Sequence, residues 1–206
     1  KHDIFFIVDE VYREFLYDGE THTSVLEFEG LAQHAILIDS MSKRYSMCGA
    51  RIGCLVTKNK EVVAAALKFA QSRLCPPTIA LHACEAAIDE PSAYLTESVR
   101  EYTQRRTTAI KSLQAIPGVE VAVPKGAFYC LARLPITDSD HFAKWMLESF
   151  SVDNETLMVA PANGFFSGDK TGKDMIRIAF VLESKKLVRA IDLLRLALEK
   201  YPNKTI

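Results

Sequence analysis

The sequence has no long apolar run and no excess of either charge. Its 25 Lys and Arg residues are balanced by 26 Asp and Glu residues over 206 positions, whereas a nucleic-acid binder usually carries a basic surface. No apolar run approaches the roughly 18–20 residues that a membrane helix needs. With 49% hydrophobic residues, the chain can instead bury a substantial core. These absences predict a globular protein that binds neither nucleic acid nor membranes.

Cysteine is also scarce, and its pattern is irregular. The five cysteines are odd in number and include no C-x-x-C pair. Disulfide-rich scaffolds and structural zinc sites need cysteines that are denser or more regularly spaced. We therefore expect reduced thiols in a cytoplasmic protein without a metal site, with Cys84 and Cys130 as ordinary core residues.

Few strands are visible in the first part of the chain, which begins without methionine. Residues 4–8 and 36–38 are apolar runs rich in β-branched and aromatic residues, the pattern of strands buried on both faces of a parallel sheet. A shorter run covers 52–57. Three strands are fewer than the mean of about five to six per sheet. We therefore expect that the amino-terminal part of a larger protein is missing from this sequence.

Helical patterns follow these strands. Apolar residues recur at helical spacing over 59–74, and a second helix is expected from Pro77 to about residue 90. A long amphipathic stretch, 91–116, predicts a helix that connects two domains, 1–92 and 93–206. Shorter patterns then alternate, as in a small α+β unit: strands at 119–123, 127–131, 157–160 and 175–181, and helices at 138–150 and 184–200.

Polar clusters follow the first two predicted strands. Asp9 and Tyr12 come directly after the first strand, and Ser40, Ser42 and Lys43 after the second. Taken singly, each residue is explained as well by a cap or a surface charge. Because ligands of open α/β sheets bind at the carboxyl ends of the strands, the two clusters are expected to converge on one crevice. Their coincidence favours a functional site.

These residue types suit one kind of chemistry. A lysine in a buried crevice can lose its proton and form a Schiff base. A nearby carboxylate such as Asp9 can keep a pyridine nitrogen protonated, which makes the ring an electron sink, and the phenol of Tyr12 can bind a ring oxygen. Two hydroxyls and Arg51 can hold a phosphate, and a more distant arginine, Arg177, can hold a substrate carboxylate.

The lysine motif has a competing interpretation. Ser40 and Lys43 also match the S-x-x-K of penicillin-binding proteins and serine β-lactamases, and Lys170-Thr171-Gly172 matches their K-T-G. In those proteins the serine opens a long helix and the K-T-G lies on a strand. Here two glycines follow the lysine closely, and the K-T-G lies in a polar, turn-like segment. The context therefore argues against this interpretation.

Together the motifs resemble those of fold-type I aminotransferases of class I/II, the aspartate aminotransferase family. Residues 40–53, S-M-S-K-R-Y-S-M-C-G-A-R-I-G, are similar to the family's lysine signature, S-x-x-K followed by G-x-R-x-G. Asp9-Glu10-Val11-Tyr12 resembles its D-E-x-Y, and residues 125–129 and 176–180 resemble small-domain segments. The resemblance implies an α/β fold: a truncated PLP-transferase fold, with part of the large-domain sheet and a small α+β carboxyl-terminal domain.

The resemblance also implies a role for each site residue. Lys43 would bond covalently to pyridoxal 5′-phosphate (PLP) and act as the general acid–base. Arg177 would hold the α-carboxylate of the substrate, and no metal is implied. The remaining residues would hold the cofactor: Asp9 and Tyr12 at the ring, and Ser40, Ser42 and Arg51 at the phosphate.

The implied activity is transamination between an amino acid, for which aspartate is favoured, and a 2-oxo acid. The full-length protein would be a cytoplasmic homodimer in amino-acid biosynthesis. Two alternatives remain open: a carbon–sulfur β-lyase on the same fold, and the aminotransferase-like ligand-sensing domain of a transcription regulator. Because the family's phosphate loop lies upstream of the segments matched here, the chain alone is expected to bind PLP weakly or not at all and to be inactive.

Overall fold

The computed structural model describes residues 4–89, 93–168 and 171–205. The chain divides into two compact units, Lys1–Val99 and Arg100–Ile206. The predicted helix boundaries at residues 90 and 91, and Lys170 of the K-T-G triplet, lie outside the described residues.

The first unit is built on a three-stranded sheet. In sheet order, its strands are β1 (Phe6–Asp9), β2 (Ala35–Ser40) and β3 (Gly53–Val56). β1 and β2 are parallel, with Asp9 paired to Ile38, and β3 is antiparallel to β2. The carboxyl ends of β1 and β2 therefore lie side by side, and the polar residues that follow them start from the same edge of the sheet.

Burial differs between the two parallel strands. Of the run predicted at 36–38, Ile36 and Leu37 are buried and Ile38 is half-buried, and Ala35 before them is buried as well. The prediction that residues 4–8 are buried on both faces is wrong, since Ile4 is 67% and Ile7 is 65% exposed. Successive side chains of β1 point to opposite faces, and those on both faces are left largely uncovered by the described part of the chain, in which β1 is an edge strand paired with β2 alone.

Three helices belong to the first unit: α1 (Met41–Arg44), α2 (Lys60–Arg73) and α3 (Thr78–Ile88). The side chain of Asn59 caps α2 by accepting hydrogen bonds from the backbone N–H groups of Glu61 and Val62. α2 has no buried residue, whereas Cys84 of α3 is buried as predicted. Since α1 ends after four residues, Ser40 opens no long helix, which argues further against the penicillin-binding interpretation.

The second unit contains an antiparallel sheet with the order β4-β5-β7-β6. Its strands are β4 (Glu120–Val121), β5 (Tyr129–Arg133), β6 (Ala160–Pro161) and β7 (Met175–Ala179). The helices are α4 (Ala93–Gln114), which begins in the first unit, α5 (Ser139–Ser149) and α6 (Ser184–Lys200). Of the strand predicted at 157–160, only the last residue belongs to β6, so that prediction was too long.

The core of the second unit is contributed by every long element of that unit. Asp138 caps α5 as predicted, because its Oδ1 accepts a hydrogen bond from the N–H of His141 at 3.0 Å. Near the end of the chain, the Tyr201 ring meets the Phe142 ring edge-on at 4.9 Å. Fully or almost fully buried apolar residues include Ala109, Ile110, Leu113, Cys130, Ala132, Phe142, Met146, Ile176, Leu187, Ile191, Leu194 and Ala197.

Among the described residues, no helix combines the length and apolar character that crossing a membrane requires.

Candidate active site

Lys43 and Tyr12 lie next to each other at the carboxyl edge of the first sheet. Tyr12 lies in the turn that follows β1, and Lys43 lies in α1, directly after β2. The Lys43 Nζ atom is 5.8 Å from the centroid of the Tyr12 ring. Both side chains are half-buried. The parallel pairing of β1 and β2 thus brings together an amine and a phenol that are 31 positions apart in the sequence (43 − 12).

Asp9 places a carboxylate at the end of β1. Its Oδ1 accepts a hydrogen bond from the Val11 N–H at 3.1 Å, which fixes the carboxylate in the turn. The residue is exposed. Because an ionised carboxylate has several acceptor positions, this bond leaves Asp9 able to accept a further hydrogen bond from a ligand.

Ser40 and Ser42 are tied into the start of α1. The Ser40 Oγ accepts a hydrogen bond from the Ser42 N–H at 3.1 Å and caps the helix. It donates to the carbonyl of Ile52 at 2.9 Å and lies 2.7 Å from the Ser42 Oγ. A hydroxyl has one proton, so Ser40 cannot donate to Ile52 and to a phosphate at the same time. The 2.7 Å contact between the two hydroxyls then takes the Ser42 proton, so the geometry favours a positioning role for Ser40 and ties Ser42 to it.

Arg51 adopts a backbone conformation that is rare for residues other than glycine. Its φ and ψ angles are 58° and 39°, in the left-handed region. Such strained residues cluster at functional sites. The side chain is exposed, and its Nη1 donates to the carbonyl of Cys48 at 2.8 Å. The other N–H groups of the guanidinium remain available to bind an anion.

A buried carboxylate, Glu10, lies beside the site. No role was predicted for this residue from the sequence. It is 3% exposed and accepts hydrogen bonds from the Val25 N–H at 2.7 Å, the Ser24 hydroxyl at 3.1 Å and the His22 ring at 2.8 Å. Burial alone would raise the pKa of Glu10, but the hydrogen bonds from His22, Val25 and Ser24 together lower it. The charged carboxylate therefore anchors the turn after β1 to residues 22–25.

Arg177 belongs to the second unit, where it lies on β7. Its exposed guanidinium is 4.8 Å from the centroid of the Phe165 ring and 5.6 Å from that of Tyr129. Contact with the faces of two aromatic rings orients a guanidinium without neutralising it. In the described part of the chain Arg177 forms no ion pair, so its charge is open to an anionic ligand. Phe165 was not predicted, because a ring that packs on an arginine leaves no motif in the sequence.

Within the described ranges, no three His, Cys, Asp or Glu side chains are grouped in a way that would hold a metal ion. Burial raises the pKa of the Cys130 thiol to about 11, so this cysteine is an inert core residue, as predicted.

Comparison with known proteins identifies the family. Residues 1–194 match the family described as aminotransferase class I and II. The chain belongs to this family. It is 32% identical over 197 residues to an aspartate aminotransferase of Pyrococcus abyssi, and 32% identical over 197 residues to aromatic-amino-acid aminotransferase 2 of Thermococcus litoralis. Both alignments cover 93% of this chain.

Solved structures support the same assignment. The crystal structure of an aromatic aminotransferase from Pyrococcus horikoshii superimposes with a TM-score of 0.80 at 28% identity, over 97% of this chain and 52% of that one. The chain likewise spans 48% of the Pyrococcus abyssi and Thermococcus litoralis relatives. The predicted PLP-transferase fold is thereby confirmed, and the chain spans about half the length of the family members it matches.

PLP is the cofactor that membership of the class I and II aminotransferases implies, and the donor set of the first unit fits it. The groups present match the parts of PLP one by one: an amine for the aldehyde, a carboxylate for the pyridine nitrogen, a phenol for the ring oxygen, and a guanidinium with a hydroxyl for the phosphate. The amine and the phenol are neighbours, and the carboxylate starts from the adjacent strand end. The residues that would hold PLP are Lys43, Asp9, Tyr12, Arg51 and Ser42, with Ser40 behind them.

Proposed function

We propose that this protein acts in PLP-dependent transamination, in which an amino group passes between an amino acid and a 2-oxo acid. The observation that carries the proposal is the placement of the Lys43 amine beside Tyr12 at the carboxyl edge of the sheet, in a chain of the aminotransferase family. The relatives named above are aminotransferases, which gives no support to the lyase or the transcription-regulator alternatives.

Bound PLP supplies an electron sink for the electron pair that is left when the α-proton of the substrate is removed. The residues of this chain would carry the remaining work. The Lys43 Nζ would bond to the cofactor aldehyde and, once released, accept the α-proton and return it. Asp9 would keep the pyridine nitrogen protonated, and the Tyr12 hydroxyl would bind the ring oxygen. Arg177 would pair with the substrate α-carboxylate through its planar fork of N–H donors.

Several finer features belong to the same proposal. The first unit would be part of the large PLP-binding domain, and the second unit would be the small domain. Aspartate or a related acidic amino acid with 2-oxoglutarate is the favoured substrate pair, supported by likeness to aspartate aminotransferases. The full-length protein would be a cytoplasmic homodimer that acts in amino-acid biosynthesis. The 206-residue chain alone would bind PLP weakly.

The function is tested on the full-length protein as its own gene encodes it. After incubation with PLP and reduction by borohydride, peptide mass spectrometry should find the cofactor on Lys43. Transamination of aspartate with 2-oxoglutarate should be measurable, and Lys43→Ala should lower kcat by about 100- to 10,000-fold because the acid–base group is lost. Lys68→Ala, an exposed lysine on α2, is the matched control and should leave the rate unchanged.

Two results would contradict the proposal. Full turnover in the folded Lys43→Ala variant would show that this amine carries no chemistry. Release of pyruvate from cystathionine in the absence of a 2-oxo acid acceptor would replace transamination by the lyase reaction.

A further inference from the structure

A cluster of four charged side chains connects the two loops of the first unit that carry the site. Two of them lie in the turn after β1, one lies in β2, and one is the last residue of α1. These residues form the Asp39 cluster: Arg13, Glu14, Asp39 and Arg44.

Arg44 is the residue that joins the two loops. Its Nη2 donates to the Asp39 Oδ2 at 2.7 Å, and its Nε donates to the Glu14 Oε1 at 2.6 Å. Arg13 contacts the same two carboxylates, with its Nη2 3.3 Å from the Asp39 Oδ2 and its Nε 3.1 Å from the Glu14 Oε1. Two cations and two carboxylates thus alternate, and the charges within the cluster balance.

The cluster is sheltered enough for these ion pairs to constrain the loops. The side chain of Asp39 is 9% exposed and that of Arg44 is 15% exposed. A buried charge is costly unless it is paired. Removing one member of the cluster would therefore leave the remaining charges buried without their full set of partners. Burial alone would lower the pKa of Arg44, but the hydrogen bond to Asp39 and the charge of Glu14 raise it, so the guanidinium stays charged.

The cluster reaches the site residues through the backbone. The Asp39 Oδ1 accepts a hydrogen bond from the Ser40 N–H at 2.7 Å, immediately before α1. At the other end of α1, Arg44 directly follows Lys43. A helix of one turn is not stable by itself, so these two contacts, together with the Ser40 cap and its bond to the Ile52 carbonyl, help to hold Lys43 in place. Arg13 directly follows Tyr12, the aromatic neighbour of the Lys43 amine.

We propose that Arg44 and Asp39 are positioning residues, which hold the Lys43 amine against Tyr12 for the proton transfers of the proposed function, on which this inference rests. Neither side chain needs to touch the substrate. Both act through Lys43, by fixing the short helix that carries it to the turn after β1.

The test compares Arg44→Met with wild type in the full-length protein. Methionine keeps much of the apolar stem but forms none of the ion pairs. Because small misplacements of catalytic groups cost about 100-fold, kcat should fall by about 10- to 100-fold, while KM changes far less. Arg44→Lys, which keeps the charge without the planar fork, should recover part of the rate. Arg189→Met is the matched control, since Arg189 bridges Asp153 and Glu155 in the second unit.

A second readout needs neither cofactor nor turnover. In the cofactor-free protein, acetylation of Lys43 by acetic anhydride is measured relative to Lys144, an exposed lysine on α5. Arg44→Met should change the ratio of the two labelling rates severalfold, and Arg189→Met should not. Wild-type kcat and an unchanged labelling ratio in Arg44→Met would overturn the inference.

Asp39→Asn keeps the inference testable if Arg44→Met does not fold. This variant keeps the side-chain shape and an acceptor for the Ser40 N–H, while an uncharged NH2 donor replaces the carboxylate oxygen that binds Arg44 and Arg13. The same shifts in kcat and in the labelling ratio are expected, and their absence would again overturn the inference. A wild-type protein without transamination would contradict the proposed function instead, while the labelling ratio in the cofactor-free protein would still test the cluster.

Discussion

Gly53 shows how closely two strands approach beside the site. It lies opposite Ser40 in the β2–β3 pairing, and a Cβ at this position would be 2.8 Å from the Asp39 carbonyl oxygen. Because the obstructing atom belongs to the backbone, no side-chain rotation relieves the clash. A glycine at this position is therefore required by packing, and the match to the lysine signature at Gly53 has a steric cause.

Gly53→Ala should destabilise the first sheet by about 1–3 kcal/mol, the usual cost of forcing an extra carbon into a packed position. The measurement is hydrogen–deuterium exchange of the amides of β2 and β3. Gly49→Ala is the control within the same motif, since a Cβ there would meet nothing within 4 Å and its φ is not positive. Equal protection of these amides in the two variants would contradict the steric argument.

At the scale of elements, the sequence predicts well what depends on local pattern. The buried run of β2, the Asp138 cap of α5 and the polar clusters after β1 and β2 all follow from periodicity or from residue type at a strand end. The contacts of Arg44 with Glu14 and of Glu10 with Val25 were missed. They join residues that are far apart in the sequence, and only the fold brings the segments that carry them together.

The hydrogen bonds by which Glu10 ties the turn after β1 to residues 22–25 should weaken in acid. The pKa of Glu10 is lower in the folded chain than its ordinary value of 4.5, so the stability that the carboxylate contributes is fully present above pH 4.5. It is lost as the pH falls below 4.5 and through the folded pKa. Glu10→Gln should cost about 1–3 kcal/mol at neutral pH, since hydrogen bonds to a charged acceptor are replaced by neutral ones.

This expectation is checked by amide hydrogen exchange of residues 22–25 at neutral and acidic pH, with protection corrected for the intrinsic rate. The difference between wild type and Glu10→Gln should shrink below pH 4.5. Glu29→Gln, at an exposed position, serves as the control and should behave like wild type at every pH. A difference that stays constant down to acidic pH would show that the carboxylate charge contributes nothing.

At the scale of the whole molecule, the two units differ in how far they cover their apolar residues. The second unit buries apolar residues from both its strands and its helices, including Phe142, Ile176 and Leu194. In the first unit α2 buries nothing, and large apolar side chains on β1, α2 and α3 are exposed, among them Ile7, Phe69 and Ile79. Pattern alone could not predict this difference. An apolar run identifies a surface that can be buried, but it does not show which other segment packs against that surface.

Exposed apolar surface of this kind predicts that the 206-residue chain alone binds hydrophobic dyes and self-associates. Phe69 and Ile79 are 77% and 87% exposed, so the double variant Phe69→Gln/Ile79→Gln should lower both dye fluorescence and the apparent mass in light scattering. Met158→Gln is the matched control, at a residue 79% exposed in the second unit. A wild-type chain that is monomeric and binds no dye would contradict the prediction.

The close approach at Gly53 also bears on how relatives of this chain can be recognised. Ser40 is held at one end of the lysine segment by the helix cap, and Gly53 is held opposite it by the pairing of β2 and β3. A shift of the β2–β3 pairing by one residue would place a residue with a Cβ in the position where only glycine fits. A pattern search should therefore require a glycine opposite the serine that caps the lysine helix, while it lets the residues between Lys43 and Gly49 vary.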